Sequence, residues 1–397
     1  MKKSGKPKAE VKARFKIVAD SGKFAFTAGS TEILKALAHT TTALMSSAGS
    51  QIKGHVVHST GNELWILGYS SDTFAACRID KAECSTPGSF AFGQQTLSGL
   101  VKGRGDMSFA YSRGVVEFKS VKGTYTGSVP TQQLTDEVAQ LLAATLSSEG
   151  STSASLPREL ISVLREGVAC TAVSDVFDSQ PLLSYITLNS GRIAVSSFDK
   201  HHFGMFEAKV ADKELKFEVA LPSRHFTIID KIASEGGVSF SVRPDCLRVH
   251  SESFILVLPT CQTDAKNFTL MRDYIKELGD PTFRAELNLS DLSKVISNLI
   301  VLNVDNAKSI MEIRWAAGSK KLVAAFSTTN GSASDSVKIR VPDSSDAICV
   351  KLDPRILKDL ISLSGTGEAS FITVGNVMML TVQTRSGKAR LACALSS

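Results

Sequence analysis

Residues 221–242 read LPSRHFTIIDKIASEGGVSFSV, and this stretch decides the fold because its pattern recurs along the chain. It begins with a helix-like run in which the apolar residues Phe226 and Ile229 are three apart, as on one face of a helix. A turn follows, and then the strand-like segment Val238–Val242. The stretch therefore predicts a short helix that leads into a strand.

The same helix-to-strand pattern occurs in residues 92–111 and in residues 352–372. Ser-Phe pairs begin at Ser108, Ser239 and Ser370, so both intervals are 131 residues (239 − 108 and 370 − 239). Self-similarity at a fixed period is typical of a repeat architecture, in which each repeat is one structural unit. The sequence therefore predicts three related units.

Length and composition agree with three globular units. A chain of 397 residues exceeds what one hydrophobic core usually organises. Its hydrophobic content of 43% and its charged content of 21% are ordinary for a soluble protein. No apolar run approaches the roughly 18 residues of a membrane span, and the basic N-terminus lacks the apolar core of a signal peptide. We therefore expect a cytoplasmic protein.

The positive charge of the chain is concentrated at its start. Residues 1–16 hold seven Lys and Arg side chains and one Glu, a balance of +6 that equals the net charge of the whole chain. The remaining residues carry 38 basic and 38 acidic side chains and are neutral. We expect residues 1–16 to be a basic tail that contacts phosphates or aids solubility. Any nucleic-acid surface on the folded body must come from the arrangement of its charges.

Within each unit the order strand, helix and three strands is predicted to occur twice. The chain is therefore predicted to be α+β, with six helices that pack on antiparallel sheets. Ser30 and the pair Ser290 and Asp291 are predicted to cap the first helices of the first and third units. The predicted boundaries are a tail at 1–16, domain 1 at 17–146, a polar linker at 147–155, domain 2 at 156–282 and domain 3 at 283–397.

Patterns for catalysis or metal binding are weak. The seven cysteines are scattered, without Cys-x-x-Cys and without histidines at metal-ligand spacing. His201 and His202 lack a third ligand at a recognisable spacing, and the glycines of residues 102–106 follow a helix, so they predict a turn and not a phosphate loop. We predict no enzyme activity, no catalytic residue, no metal and no cofactor. A hydrolase that depends on His201 or Cys170 is an alternative.

Residues 192–203, RIAVSSFDKHHF, carry a family resemblance. They resemble the second-domain strand of bacterial DNA sliding clamps, which ends in Ala-Thr-Asp-Gly-His-Arg-Leu. Asp199 and His201 agree with this motif, whereas Lys200 and the two residues after His201 depart from it. With its three internally doubled units over nearly the whole length after the tail, the chain is similar to the beta subunit of the DNA polymerase III holoenzyme.

The resemblance implies a ring-shaped processivity factor. Three clamp-type domains would form half of a ring, and two identical chains would close it head to tail around double-stranded DNA. The helices would line the hole and contact DNA without sequence specificity. Partners would be the replicative DNA polymerase and the clamp loader, held through short peptide motifs. The alternative is a β-rich structural or assembly protein that uses the basic tail.

Basic residues on the predicted helices are candidates for DNA contact. Arg158 and Arg165 are seven apart and lie on one side of a helix, whereas Leu160, Ile161 and Leu164 cluster on another. A solvated helix face is the alternative role for each of these cations. The predicted DNA-binding residues are Lys35, Lys102, Arg104, Arg158, Arg165, Arg224, Lys231, Lys294, Arg355 and Lys358.

The resemblance also implies two protein-binding surfaces. The first is a pocket between the second and third domains for partner peptides, for which ordinary core packing is the alternative. Met379 is its best candidate, because a flexible thioether suits several peptides. By position, the pocket would contain Leu183, Phe198, His201, Phe203, Val377, Met379, Ala392 and Cys393. The second surface is the dimer interface, which would include Tyr125, Val301 and Leu302.

Overall fold

The computed structural model describes residues 15–17, 19, 22–45, 54–70, 73–147, 152–171, 183–198, 202–223, 225–233, 237–260, 265–301, 311–328, 331–341, 347–352, 354, 357–358, 361, 367–374 and 377–394. Contacts divide the chain into two compact units. Unit 1 is Met1–Ser155 with Glu235–Pro259, and unit 2 is Leu156–Ser234 with Thr260–Ser397. The division into three sequence domains remains a prediction.

Seven helices have bounds within the described ranges: α1 (Ser30–Met45), α2 (Gln94–Val101), α3 (Asp136–Ser147), α4 (Arg158–Thr171), α5 (His225–Ala233), α6 (Ala265–Glu277) and α7 (Leu289–Ile300). Pro354, Leu357, Lys358 and Ile361 are also helical. The strands of unit 1 are β1 (Phe24–Gly29), β2 (Gly54–Thr60), β3 (Leu64–Tyr69), β4 (Phe74–Ile79), β5 (Glu83–Cys84), β6 (Pro87–Phe92), β7 (Asp106–Ser112), β8 (Val115–Ser120), β9 (Thr126–Pro130), β10 (Thr152–Leu156), β15 (Val238–Val242), β16 (Cys246–His250) and β17 (Phe254–Pro259). Those of unit 2 are β11 (Leu183–Asn189), β12 (Arg192–Phe198), β13 (His202–Lys209), β14 (Phe217–Pro222), β18 (Phe283–Asn288), β19 (Met311–Trp315), β20 (Lys321–Thr328), β21 (Gly331–Arg340), β22 (Ile348–Leu352), β23 (Glu368–Val374), β24 (Val377–Gln383) and β25 (Lys388–Ala394).

The predicted order of strand, helix and three strands occurs six times. The modules are β1-α1-β2-β3-β4, β6-α2-β7-β8-β9, β10-α4-β11-β12-β13, β14-α5-β15-β16-β17 and β18-α7-β19-β20-β21. The sixth is β22, the helical residues between Pro354 and Ile361, and β23-β24-β25. These six modules confirm the internally doubled pattern. They also account for every described strand except β5.

The Ser-Phe pairs mark the same strand in three modules. Phe109, Phe240 and Phe371 lie in β7, β15 and β23, each of which is the first strand after a helix. All three phenylalanines are at most 1% exposed, while the serine before each one is only partly buried. Alternate residues of a strand point to opposite faces, so one residue of each pair faces the core. The period of 131 residues therefore repeats a burial pattern.

Unit 1 is built from two antiparallel sheets. The five-stranded sheet has the order β5-β1-β7-β8-β9, and the eight-stranded sheet has the order β10-β15-β16-β17-β4-β3-β2-β6. Helices α1 and α2 pack against each other, and α1 also packs on β3 and β4. Helix α3 buries Leu142 and Leu146 in a cluster with Trp65 and Ile255. This apolar burial is the main stabilising term of the unit.

Unit 2 contains one twelve-stranded antiparallel sheet. Its order is β14-β11-β12-β13-β25-β24-β23-β18-β21-β20-β19-β22. Helix α4 packs on β12, β13 and β25, and helix α7 packs on β18, β20 and β21. Helix α4 also packs against α5. A single sheet thus carries residues distant in sequence into adjacent strands, as when β13 pairs with β25.

Several local predictions were wrong. Asn288 caps α7, because its side-chain oxygen accepts from the backbone N–H of Ser290 at 2.9 Å and of Asp291 at 3.2 Å. Ser290 and Asp291 therefore lie in the first turn and are not the cap. Ser30 is the first residue of α1, and its hydroxyl donates to the carbonyl of Gly105.

Two helices were not predicted. Helices α3 and α6 lie between modules, where the repeat has no place for a helix. Strand β10 begins at Thr152, inside the segment predicted to be a linker. The repeat pattern therefore locates the modules and leaves the segments that join them unassigned.

Candidate functional site

Strand register aligns residues from five strands of unit 2 into one row. Phe198 of β12 pairs with Phe203 of β13, which pairs with Ala392 of β25. Ala392 pairs with Met379 of β24, which pairs with Ile372 of β23. Residues directly opposite each other in an antiparallel ladder lie on the same face. From Phe203 to Ile372 the row is therefore an apolar band across one face of the sheet.

Helix α6 packs on this face of unit 2. Its Phe268 and Ile275 are buried with Phe203 and Ala392 in one hydrophobic cluster. The ring of Phe268 stacks on Tyr185 of β11, with 5.1 Å between centroids and 15° between planes. Stacking of this kind adds to the hydrophobic contribution of the two rings. The helix that sequence reasoning missed therefore supplies one wall of the site.

Five of the predicted pocket residues come together here. Leu183, Val377 and Met379 are partly buried and pack against the cluster that contains Phe203 and Ala392. Partly exposed apolar side chains next to buried ones make a surface on which a partner's side chains can pack.

The other three predicted pocket residues are less fully described. Phe198 and Cys393 pair through their backbones with Phe203 and His202, and their side chains lie outside the described part of the structure. His201 lies outside the described residues altogether.

A polar contact involves Tyr185, which belongs to the same hydrophobic cluster as Phe203 and Ala392. The hydroxyl of Tyr185 donates to Oε1 of Glu218 at 2.5 Å. Burial, reinforced by this carboxylate, raises the pKa of Tyr185. The phenol therefore stays protonated and remains a hydrogen-bond donor at neutral pH.

The two arginines predicted on one side of α4 are both exposed. Nη1 of Arg165 lies 2.9 Å from Oδ2 of Asp230 on α5, and the arginine side chain is 62% exposed. An exposed pair of this kind contributes little to stability. The guanidinium can therefore exchange this carboxylate for another anion at small cost, although the local charge is less positive than the sequence predicted.

The remaining basic candidates lie on several elements. Nζ of Lys294 is 4.0 Å from Oδ1 of Asp291 within α7. The guanidinium of Arg104 lies 3.9 Å from the ring centre of Tyr125, a cation–π contact that couples a predicted DNA residue to a predicted interface residue. Lys35, Lys102, Lys231 and Lys358 are exposed, whereas Arg224 and Arg355 lie outside the described residues.

Two predicted interface residues are described. Tyr125 directly precedes β9, and its ring packs 5.3 Å from that of Phe118. Val301 follows α7 and is 75% exposed, which is unusual for an apolar side chain of this size. Leu302 lies outside the described residues. Val301 therefore exposes an apolar side chain at the end of α7.

The alternative of a hydrolase receives no support from Cys170. Burial, together with the charge of Glu166, raises the pKa of the Cys170 thiol to about 12. A thiol is nucleophilic as the thiolate, so this cysteine is unreactive near neutral pH. Within the described ranges, no three His, Cys, Asp or Glu side chains converge as a metal-binding group. No helix in those ranges is long and apolar enough to span a membrane.

The fold defined by these modules is that of the DNA polymerase sliding clamps. The sliding clamp of Bacillus subtilis matches with a TM-score of 0.75 at 13% identity, over 95% of this chain and 100% of that chain. The C. crescentus beta sliding clamp matches with a TM-score of 0.75 at 15% identity, again over 95% and 100%. A Pseudomonas aeruginosa clamp bound to griselimycin matches with a TM-score of 0.72 at 15% identity, over 95% and 100%.

These similarities confirm the predicted fold class. The sequence by itself matches no protein-family model, and no curated protein matches it. The fold is therefore shared with sliding clamps at a level of sequence identity where function needs its own argument.

Proposed function

We propose that this chain is a sliding clamp, a processivity factor that forms a ring-shaped homodimer around double-stranded DNA in the cytoplasm. The ring has no chemistry of its own and tethers the replicative polymerase and other partners. Its benefit is effective concentration, because a tethered polymerase that releases the primer end rebinds before it diffuses away. The fold shared with known clamps supports this proposal.

The observation that carries the proposal is a rule of strand pairing. The last strand of module 1, β4, pairs with the last strand of module 4, β17. The last strand of module 3, β13, pairs with the last strand of module 6, β25. Module 5 ends in β21 and module 2 ends in β9. By the same rule, β21 of one copy would pair with β9 of a second copy.

Both of these strands have a side available for pairing within the described residues. Strand β9 is the edge of its sheet, where its neighbour is β8. Strand β21 pairs with β20 over most of its length and reaches β18 only at Ile339 and Arg340. An open strand edge favours pairing with another chain. Pairing β21 of one copy with β9 of a second, and the reverse, would give two equal head-to-tail contacts that close a ring.

Apolar and aromatic side chains near these edges support the same interface. Val301 would lose its exposed surface at the contact, and Tyr125 lies beside β9 with Arg104 on its ring. Within the ring, exposed cations such as Arg158, Arg165 and the other predicted residues would contact phosphates. Such contacts weaken as salt rises and carry no base preference, which suits sliding.

Partner peptides would bind the apolar row of unit 2. Phe203 and Ala392 form its buried floor, and Met379 and Leu183 offer partly exposed surface. Peptides of the polymerase and the clamp loader are the proposed ligands. Methionine suits this role because its flexible side chain adapts to different apolar partners.

Retention on circular DNA tests the ring. Protein preloaded on nicked circular DNA is separated from free protein by gel filtration at high salt, and the circle is then cut once. A closed ring should stay with the circle and leave after linearisation. Equal retention on both forms would contradict the ring and favour a structural or assembly protein.

A matched pair of variants tests the interface by sedimentation. The chain mass is 42.4 kDa, so a dimer should sediment near twice that mass. Val301→Asp should yield monomers, because burying an unpaired carboxylate is costly. Leu270→Asp is the control, since Leu270 of α6 is more than half exposed and several elements separate α6 from both β9 and β21 in sequence. A dimeric Val301→Asp variant would show that the interface is elsewhere.

A further inference from the structure

Beside the apolar row, unit 2 contains a cavity of about 410 Å³. Ile275 of α6, Ile372 of β23 and Met379 of β24 line one wall of it. Ile372 and Met379 are directly opposite each other in the sheet and are partly exposed. The cavity therefore continues the predicted peptide surface beyond Met379, underneath α6.

Three cations also line the cavity, together with Pro281, Ser370 and Thr381. The cations are Arg284 of β18 and Lys388 and Arg390 of β25. Arg284 pairs with Ile372 across the ladder, so it stands at the end of the apolar row. Among the described residues that line the cavity, none is a carboxylate. The cavity therefore combines an apolar wall with a wall of positive charge.

Two carboxylates lie close by, but not in the lining. Oε2 of Glu207 is 3.5 Å from Nη1 of Arg390, and the two side chains are 44% and 27% exposed. Glu286 lies two residues along β18 from Arg284 and is exposed. Two carboxylates against three cations leave a net positive charge, and solvent screens both carboxylates. A guanidinium with five N–H donors also has capacity left after one such contact.

We propose that this cavity binds an acidic side chain of a partner peptide whose apolar side chain packs on Met379. The inference rests on the proposed clamp function and assigns a charge preference to its peptide site. Arg284 and Arg390 would each donate to the peptide carboxylate, and Lys388 would add a third positive charge. Charge-assisted hydrogen bonds of this type are short and strong, and paired arginines favour carboxylates.

The shape of the cavity favours a peptide over a nucleic acid. DNA-binding surfaces are strongly positive and polar, with the charges spread along the backbone path. Here the cations line the same cavity of about 410 Å³ as Ile275, Ile372 and Met379. An apolar anchor beside a carboxylate matches both walls. Single-stranded DNA is the competing occupant that the experiment must separate.

Fluorescence polarisation with two matched peptides tests the charge preference. Both peptides carry an N-terminal fluorescein and a C-terminal amide, and their sequences are Glu-Leu-Leu-Phe-Glu and Gln-Leu-Leu-Phe-Gln. The full-length protein should bind the Glu peptide about tenfold more tightly at low salt. The preference should shrink as salt is added, because ions screen partly exposed charges. The double variant Arg284→Gln and Arg390→Gln should lose most of this preference, because Lys388 is the one cation of the three that remains.

A control variant with the same loss of charge separates local contact from net charge. Lys216→Gln with Lys320→Gln removes two exposed cations of unit 2 that are not in the cavity lining, and it should keep the tenfold preference. Three results would overturn the inference: no binding of either peptide, equal affinities in the wild type, or a full tenfold preference in the Arg284 and Arg390 variant. Binding of a labelled 20-nucleotide single strand that is lost in this variant would assign the cavity to nucleic acid instead.

Failure of this inference is distinguishable from failure of the clamp proposal. Retention on circular DNA depends on ring closure, so the Arg284→Gln and Arg390→Gln variant should be retained like the wild type. If the wild type is retained on circular DNA but shows no charge preference, the acidic ligand is refuted and the ring proposal stands. If the wild type is not retained on circular DNA, the ring proposal is refuted, regardless of the peptide affinities.

Discussion

Acidification should destabilise unit 1 through two buried histidines of β2. His55 is fully buried, with Nε2 3.4 Å from the Thr41 hydroxyl, and His58 is almost fully buried, with Nδ1 2.9 Å from the Ser89 hydroxyl. Burial lowers the pKa of each imidazole from 6.5 to about 4. In the folded state both rings are therefore neutral at physiological pH.

The sign and size of the effect follow from these pKa values. The folded pKa lies below the unfolded pKa, so between pH 6.5 and pH 4 the unfolded chain binds more protons. Stability contributed by the neutral rings is complete above about pH 6.5 and falls as the pH drops through this window. One pKa unit corresponds to about 1.4 kcal/mol, so at pH 5.0 each histidine should lower the free energy of unfolding by about 2 kcal/mol. The pair should therefore lower it by about 4 kcal/mol, a large part of the 5–15 kcal/mol typical of a domain.

Tryptophan fluorescence isolates this effect in unit 1. The chain has two tryptophans, and Trp65 of β3 pairs directly with His58 while Trp315 lies in unit 2. A Trp315→Phe background therefore lets Trp65 report urea unfolding at pH 7.5 and pH 5.0. Between pH 7.5 and pH 5.0, the double variant His55→Gln with His58→Asn should lose about 4 kcal/mol less free energy of unfolding than the Trp315→Phe parent. Each single variant should recover about 2 kcal/mol of this loss, which keeps the test available if the double variant fails to fold. An equal loss with and without the histidines would refute the reasoning.

Other predictions concern contacts in unit 2. Asn288→Ala should lower the free energy of unfolding by about 1 kcal/mol in urea titrations, whereas Asn288→Asp should retain the helix cap; equal stability of the alanine variant would argue against the cap. Gly204→Ala should cost about 1–3 kcal/mol in the same assay, because its Cβ would lie 2.7 Å from the backbone of Thr171, and an unchanged midpoint would contradict this contact. Glu166→Ala should raise the amide exchange rate of Ser386 about tenfold, since the Glu166 carboxylate accepts from that N–H at 3.1 Å and from its hydroxyl at 2.5 Å. Unaltered exchange at Ser386 would show that this contact does not order the turn.

The modules could be predicted from the sequence because their signal is local. Helix and strand periods differ, so Phe226 and Ile229 indicate a helix and Val238–Val242 a strand without any knowledge of the tertiary fold. The Ser-Phe repeat then gives the phase of three modules. The neighbouring row of Phe203, Ala392 and Met379 could be placed only through the family resemblance, because strand pairing is not encoded within one strand.

The rest depends on contacts that are distant in sequence. Arg165 and Asp230 are 65 residues apart, and nothing near either of them indicates the pair. The sequence of helix α6 does indicate a helix, since Phe268, Met271 and Ile275 have helical spacing. This segment lies outside the repeated modules, from which the helices were predicted. The predicted cap of α7 lies two to three residues after the observed one at Asn288, because Ser290 and Asp291 are themselves good capping residues.

The two strand junctions within the chain use different side chains, and this difference bears on ring closure. Backbone ladders are similar in all antiparallel pairs, so they alone cannot decide which edges meet. The β4 and β17 junction is apolar, with Ala76 opposite Ile255. The β13 and β25 junction instead places Glu207 opposite Lys388, with a second contact from Glu207 to Arg390. Mispairing between these edges would leave charges against apolar residues, which is disfavoured. A ring that closes through β9 and β21 therefore needs side chains at these edges that complement each other and fit neither internal junction.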